Sequence, residues 1–212
     1  MKWPETDRDL STVGSIAERE HAAVARIFLP VPGASGPTSW SSIAADAGIE
    51  LAAQTPWSEL AETGLPNARG LQSPYGEVDE SVVKVLTQLL PAHTESRELY
   101  AVLSPMRDDA VPAGFDFTRI PWSDGRTRWH DGHHLIARIG FEDLHLFTEQ
   151  ENRQFPVALI PGDLGFMVGC AAYSDSLIVS GSNDLVRDLA ATDLEWLPTT
   201  RSAPLPVEYL PQ

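Results

Sequence analysis

The sequence predicts a single α+β domain in which a few helices pack on a mixed, largely antiparallel β-sheet. Six or seven short segments have the apolar composition of strands, several of them follow one another directly, and a strongly amphipathic helix lies between them. Short connections between neighbouring strands favour hairpins, because a parallel crossover needs about a dozen residues or more. Strands and helices in this order are expected to share one hydrophobic core.

The first third of the chain is predicted to hold one strand and two short helices. His21–Val31 is a mostly apolar strand that ends among prolines. The stretch 33–76 is rich in Pro, Gly and Ser, and the two helices are predicted in it, at Ser39–Ala47 and at Pro56–Ala61. An irregular stretch of this length is either a wrapped surface segment or a functional loop.

The clearest helix of the sequence is Asp79–Leu90. Asp79 is a suitable N-cap residue, and Pro91 ends the helix. The apolar positions recur at helical spacing, and they are Val82, Val83, Val85, Leu86, Leu89 and Leu90. We expect this face to pack on a sheet that includes Gly165–Ala172 and Leu177–Ser180, because both segments are apolar enough to be buried.

The rest of the chain is predicted to form further strands and one more helix. Leu99–Leu103 is a short buried strand, and Val157–Ile160 is a short edge strand. Two strand pairs are predicted, and they are His134–Ile139 with Asp143–Phe147, and Gly165–Ala172 with Leu177–Ser180. A helix capped by Ser182 runs to Leu189, and Leu194–Leu197 is the last strand.

The domain itself is predicted at residues 21–198. Residues 1–20 are polar and are expected to form an N-terminal arm, whereas residues 199–212 hold three prolines and are expected to form an extended C-terminal tail. Cys170 is the single cysteine, so an intramolecular disulfide is impossible. Its neighbours are apolar, and we expect the thiol to be buried as a small hydrophobic group.

The net charge limits the functions that the sequence favours. The chain has 30 acidic and 15 basic residues, which gives a formal net charge of −15. A surface this negative repels phosphate backbones and anionic lipid headgroups, so no nucleic-acid or membrane partner is predicted. The N-terminal residues lack the apolar stretch of a signal peptide, and the longest apolar run is too short to span a membrane, so a cytoplasmic location is expected.

The sequence contains none of the common signatures of nucleotide binding, zinc proteolysis or serine hydrolysis. No cofactor is therefore predicted. Ser174 or Ser176, with Asp175 and a distant histidine, could be imagined as a hydrolytic triad. A serine-rich hairpin turn explains the same residues without catalysis.

One segment concentrates histidine and arginine, and its candidate residues are Arg126, Arg128, His130, His133 and His134. Neighbouring side chains of a strand point to opposite faces, so these histidines are expected to bind no metal, which needs convergent ligands. Arg126 and Arg128 point the same way on an extended segment and could hold the carboxylate or phosphate of an anion or partner. The alternatives are a solvated basic hairpin and a zinc site.

Four tryptophans lie in segments that are predicted to be irregular, and they are Trp40, Trp57, Trp122 and Trp129. Tryptophan is favoured in cores and at interfaces alike. These side chains are therefore expected to cover the sheet as part of the core, with an exposed partner-binding surface as the alternative.

Three segments resemble motifs of one protein family. They are Leu89–Thr94 (LLPAHT), Pro161–Phe166 (PGDLGF) and Ser176–Ser182 (SLIVSGS). They are similar to the LLxxHT, WPxDRxW and STxVGGS segments of an uncharacterised family of bacterial proteins, mostly from high-GC Gram-positive organisms. Leu164 stands where that family has Arg, Phe166 where it has Trp, and Ser180 where it has the first Gly. The resemblance implies a shared fold and no mechanism, because the family has no established activity.

Two functions from different classes follow from these observations. The leading hypothesis is a non-enzymatic cytoplasmic protein-binding factor, similar to an immunity protein or an antitoxin, whose acidic surface meets a basic protein partner. The alternative is a metal-assisted hydrolase that uses the histidine-rich segment 130–145. An enzyme would have a pocket that joins His130 or His133 to carboxylates, whereas a binding protein would have an exposed aromatic or acidic patch.

Overall fold

An antiparallel β-sheet organises the structure, a computed structural model that describes residues 4–7, 9, 11–33, 36–62, 77–103, 117–120, 134–149, 155–171 and 174–205. Eight strands are found in these residues. They are β1 (Ala23–Phe28), β2 (Leu99–Leu103), β3 (Phe117–Ile120), β4 (His134–Ile139), β5 (Ala158–Pro161), β6 (Phe166–Gly169), β7 (Ser176–Gly181) and β8 (Trp196–Thr199). Their order across the sheet is β3-β4-β2-β5-β6-β7-β1-β8.

Every strand pairing in the described part of the chain is antiparallel. Strands β5, β6 and β7 form a meander, and β1 lies between β7 and β8 although it comes first in the sequence. Together with the helices packed on the sheet, this arrangement confirms the predicted α+β domain. The predicted pair Gly165–Ala172 and Leu177–Ser180 is confirmed as β6 and β7.

One face of the sheet, which we call the first face, carries the main core. It is covered by α3 (Glu80–Leu89), α4 (Asn183–Leu189) and a 3-10 helix at Phe141–Phe147. The α3 helix begins as predicted, because the Asp79 carboxylate accepts a hydrogen bond from the Ser81 backbone N–H at 2.8 Å. Val82, Val83 and Leu86 are buried against strand residues of this face, which confirms the predicted packing of the helix on the sheet. Cys170 is buried in the same core, as predicted.

The opposite face, the second face, is covered by shorter segments in several small clusters. Two helices lie over one end of it, α1 (Trp40–Ala47) and α2 (Trp57–Glu62). The Ser39 hydroxyl caps α1 by accepting from the Ser42 N–H at 3.2 Å. Gly48 ends α1 in the left-handed conformation, at φ 69°, which glycine adopts without steric cost.

Two segments that were predicted as irregular ends pack on the second face. Residues 13–16 form a buried 3-10 turn that contacts the sheet through Val13 and Ile16. Ala203 and Leu205, from the predicted C-terminal tail, belong to the same cluster. Thr12 and Pro204 also form an isolated antiparallel bridge, so the described residues of both ends lie against each other and against the sheet.

The predicted strand Asp143–Phe147 is wrong, because residues 141–147 form a 3-10 helix. Phe141, Leu144 and Phe147 recur every third residue, which is the repeat of a 3-10 helix and brings all three side chains to the first face. The Asp143 carboxylate accepts from the Gly140 N–H at 2.7 Å and fixes the start of the helix. Strand β4 therefore pairs with β2 and β3, not with a hairpin partner that follows it.

Two other strands differ from their predicted positions. The strand predicted at an edge, Val157–Ile160, is β5 and lies between β2 and β6 in the interior of the sheet, where all of its residues are buried. The last strand, β8, lies two residues further along the chain than predicted and forms one edge of the sheet. None of the helices formed by described residues has the length and apolarity needed to cross a membrane.

Candidate functional site

The residues predicted to hold an anion lie mostly outside the described residues. This applies to Arg126, Arg128, His130 and His133. His134 begins strand β4, where its backbone is paired with Ile120. The predicted anion site therefore stays a prediction, and so does the expectation that these histidines bind no metal. Among the residues that are described, no three His, Cys, Asp or Glu side chains are grouped as metal ligands would be.

One part of the described surface carries acidic side chains and no basic ones. Helices α1 and α2 with the loop between them, residues 36–62, form what we call the acidic lobe. Asp46, Glu50 and Glu59 are exposed on it. The sequence contains no Lys, Arg or His between Arg26 and Arg69, so no basic side chain from this stretch offsets their charge.

Elsewhere, several arginines of the described structure are paired with carboxylates. Arg138 lies 3.0 Å from Glu98, and Arg187 lies 2.8 Å from Asp184. Arg201 contacts Asp7 at 3.2 Å. These pairs neutralise charge locally, and exposed pairs of this kind contribute little to stability. The acidic lobe differs in that its own sequence supplies no basic residue.

A buried arginine fastens the acidic lobe to the sheet. Arg26 projects from β1 on the second face and is completely buried. Its Nη1 donates to the backbone oxygens of Ala53, at 2.9 Å, and Thr55, at 2.7 Å, which belong to the loop between α1 and α2. Its Nη2 donates to Asp175 Oδ1 at 2.9 Å. The guanidinium therefore holds the loop of the lobe and the turn before β7 at the same point.

Aromatic rings enclose this guanidinium. Its central carbon lies 4.4 Å from the ring centroid of Phe28 and 5.2 Å from that of Trp40. Trp40 also stacks edge-on against Trp57 at 5.5 Å, and its Nε1 donates to the Leu29 carbonyl at 2.9 Å. Trp40 and Trp57 are both buried, which confirms that they are part of the core. Trp122 and Trp129 lie outside the described residues.

A carboxylate from the other end of the chain caps the first helix of the lobe. The two oxygens of Glu195, which directly precedes β8, accept from the backbone N–H groups of Trp40 and Ser41, each at 2.6 Å. A negative charge at a helix N-terminus is favourable because unpaired N–H groups and the helix dipole meet it there. The acidic lobe is thus held by polar contacts at two places. Glu195 binds the start of α1, and Arg26 binds the loop that follows this helix.

The serine-rich turn is a structural part of this attachment. Ser174, Asp175 and Ser176 are all buried. The Ser176 hydroxyl donates to Asp175 Oδ1 at 2.9 Å, and the Ser174 hydroxyl donates to the Ser176 carbonyl at 2.9 Å. The described hydrogen bonds of their side chains run to Arg26 and to one another, so the triad considered for these residues is not formed with a described histidine.

A different serine does contact a histidine. Ser180 Oγ lies 2.8 Å from His21 Nδ1, and His21 Nε2 lies 2.8 Å from the Leu164 carbonyl oxygen. Hydroxyl, imidazole and carbonyl are arranged in the order that nucleophilic catalysis uses. Ser180 is 0 % exposed, however, and its hydroxyl cannot meet a substrate in this conformation. We therefore assign these contacts to structure and not to catalysis.

Sequence reasoning did not find the His21 contacts, because the partners are 159 and 143 residues away along the chain. No local pattern in the sequence marks these partners. The chain matches no protein-family model, no curated protein and no solved structure. The resemblance thus stays a prediction.

Proposed function

We propose that the protein is a non-enzymatic protein-binding factor, similar in role to an immunity protein or an antitoxin, and that the acidic lobe receives a basic protein partner. The observation that carries the proposal is the exposure of Asp46, Glu50 and Glu59 in a stretch of sequence that has no basic residue. The net charge of −15 acts in the same direction over the whole surface.

Charge of this kind favours the encounter with a basic partner. Complementary potentials steer two proteins together and raise the association rate, and they repel partners of the wrong sign. Exposed carboxylates keep their hydration until the partner arrives, so their contribution is expected to weaken as salt is added. A salt-dependent association rate is therefore the expected signature of the acidic lobe.

The attachment of the lobe supports the same proposal. Arg26 and Trp40 fix the helices and their loop to the sheet through buried contacts, and Glu195 does so through a partly buried one. A surface that is already ordered loses less conformational entropy on binding than a flexible one. The lobe is thus suited to present its carboxylates in a fixed arrangement.

No observation on the described residues favours the alternative of a metal-assisted hydrolase. His145, the last histidine of the segment concerned, is exposed. Its Nδ1 lies 2.5 Å from the Glu142 carbonyl oxygen, and its Nε2 lies 3.6 Å from a Glu149 carboxylate oxygen. Both partners lie within four residues of His145 in the sequence, so these contacts are local. The hydrolase hypothesis stays a prediction that depends on residues outside the described part of the chain.

The test is affinity purification from the native host, followed by titration of the purified partner. We expect a stoichiometric partner of net positive charge. The variant Asp46→Asn/Glu50→Gln/Glu59→Gln is expected to bind it about tenfold more weakly, which corresponds to about 1.4 kcal/mol.

The matched control is Glu20→Gln/Glu77→Gln/Glu95→Gln, which removes the same charge from exposed positions outside the lobe. It is expected to bind within about twofold of the unmodified protein, because distant exposed charges are screened. The proposal is wrong if no stoichiometric partner is recovered. The assignment to the acidic lobe is wrong if both variants weaken binding equally.

A further inference from the structure

His21 joins three segments that are far apart in sequence. It lies two residues before the start of β1, and its ring contacts Ser180 in β7 and the turn before β6. In that turn Leu164 has φ 58°, a left-handed conformation that a branched side chain adopts at a cost of about 1 kcal/mol or more. The hydrogen bond from His21 to the Leu164 carbonyl helps to hold this conformation.

The protonation state of the ring follows from its two partners. A carbonyl oxygen only accepts hydrogen bonds, so His21 Nε2 must carry a proton to bind Leu164. In the neutral ring Nδ1 is then unprotonated and accepts from the Ser180 hydroxyl. The geometry thus selects one tautomer and makes Ser180 the donor.

Protonation of the ring would reverse the contact with Ser180. Nδ1 would become a donor, and the Ser180 hydroxyl would have to accept from it and turn its own proton elsewhere. Ser180 is fully buried between β1 and β6, and the contact with His21 is the one hydrogen bond that its side chain makes in the described structure. An unmatched buried donor costs about 1–3 kcal/mol. The charged ring is therefore a poor fit for this site.

The electrostatic surroundings of His21 also disfavour its charged form. Burial, the strongest influence, lowers the pKa of His21 below its ordinary value, and the charge of Arg201 lowers it further. The Leu164 carbonyl and the Glu18 carboxylate act to raise the pKa without offsetting burial. Asp163, in the same turn as Leu164, directs its carboxylate to the backbone and hydroxyl groups of residues 94–96.

His21 also ends the segment that packs over the second face. Residues 11–21 are held by the small apolar cluster around Val13 and Ile16 and by the Arg201 guanidinium, which donates to the carbonyls of Gly14, Ala17 and Glu18. The main core lies on the other face of the sheet. Opening of this segment alone is expected to cost less than unfolding of the sheet.

We propose that His21 is an acid-sensitive latch: its neutral ring fastens residues 11–21 to the sheet, and uptake of a proton releases this segment before the sheet unfolds. The direction of the pH dependence follows from the linkage between protonation of His21 and closure of the segment. A histidine that is harder to protonate in the closed state contributes stability that is complete above its ordinary pKa, about 6.5, and is lost as the pH falls through the lowered value.

Hydrogen exchange of the full chain tests the latch. Deuterium uptake of peptides from residues 11–21 is compared at pH 7.5 and pH 5.5, after correction for the intrinsic pH dependence of exchange. We expect faster uptake at pH 5.5 in this segment and no change in α3, with a total gain of at most about tenfold, because pH 5.5 lies about one unit below the ordinary pKa of histidine. Equal uptake at both pH values would overturn the proposal.

Two variants complete the test. His21→Gln keeps a neutral side chain that can donate to Leu164 and is expected to abolish the difference between the two pH values. His145→Gln removes an exposed histidine and is expected to behave like the unmodified protein. If His145→Gln also abolishes the difference, His21 is not the sensor.

Nitrogen NMR of the unmodified protein decides the matter if His21→Gln fails to fold. The expected result is a neutral ring protonated at Nε2, which titrates below the ordinary pKa of histidine, about 6.5. A neutral ring protonated at Nδ1, or a pKa at or above the ordinary value, would overturn the latch.

Discussion

The two faces of the sheet are covered by different kinds of contact. On the first face, α3, α4 and the 3-10 helix at Phe141–Phe147 bury apolar side chains in one continuous core. On the second face, short segments pack in several smaller apolar clusters and are also fastened by individual polar groups, above all Arg26, Glu195 and His21. The first face therefore depends on the shape and volume of many residues, whereas the second depends on a few specific partners. Both the proposed binding surface and the proposed latch belong to the second face.

This difference has a physical consequence. Loss of one apolar side chain leaves a cavity that its neighbours partly fill, so the effect is graded. Loss of one partner from a buried ion pair leaves the other charge without compensation in a region of low dielectric. We thus expect single substitutions on the second face to lower the free energy of unfolding strongly at a few positions and weakly at the others.

The largest effect is expected for Asp175→Ala. It leaves the Arg26 guanidinium buried without its carboxylate and should lower the free energy of unfolding by about 3–5 kcal/mol. Chemical denaturation measures the change. The double variant Arg26→Leu/Asp175→Leu removes both charges and should recover much of the loss. A cost below about 1 kcal/mol for Asp175→Ala would show that the ion pair does not hold this face together.

The next effect is expected on the first face, for Leu86→Ala. Leu86 is fully buried in α3, and truncation to alanine should cost about 2–5 kcal/mol through lost transfer energy and the cavity left behind. Lys84→Ala, on the exposed side of the same helix, is the control and should change stability by less than about 0.5 kcal/mol. If the two variants are equally stable, the packing of α3 on the sheet does not stabilise the core.

The smallest effect is expected for Glu195→Ala, which removes one of the two caps of α1 and leaves the Ser39 hydroxyl in place. A lost cap costs about 1 kcal/mol and should act on the acidic lobe first. Thermal unfolding and the exchange of the Trp40 and Ser41 amides measure it. Asp193→Ala, an exposed carboxylate two residues earlier, is the control and should leave both amides protected. Equal exchange in the two variants would mean that the cap does not order the lobe.

The first face could largely be predicted from the sequence. Asp79 and the helical spacing of Val82, Val83 and Leu86 identify α3, because capping and amphipathicity are local properties. The same reasoning failed for residues 141–147, whose apolar residues recur every third position in a segment too short to separate helix from strand.

The second face could not be predicted, because its contacts join residues that are remote in sequence. Nothing near Arg26 indicates that Asp175 will meet it, and nothing near His21 indicates Ser180. A buried charge or a paired histidine is recognised only once the sheet has brought its strands together. The acidic lobe was predicted as two short helices in an irregular stretch, but its attachment to the sheet depends on those remote partners.

The edge strand β8 is poorly suited to pair with a further strand. Phe28 N–H donates to the Glu195 carbonyl, and the register that follows pairs Trp196 with Ile27 and Pro198 with Ala25. In an antiparallel ladder this alternation turns the backbone groups of Trp196 and Pro198 away from β1, toward the outer side of the sheet. Proline has no N–H to offer, so β8 presents a single backbone donor there. A second chain that approached this edge as an added strand would find one of the two backbone donors missing, which disfavours growth of the sheet at this edge.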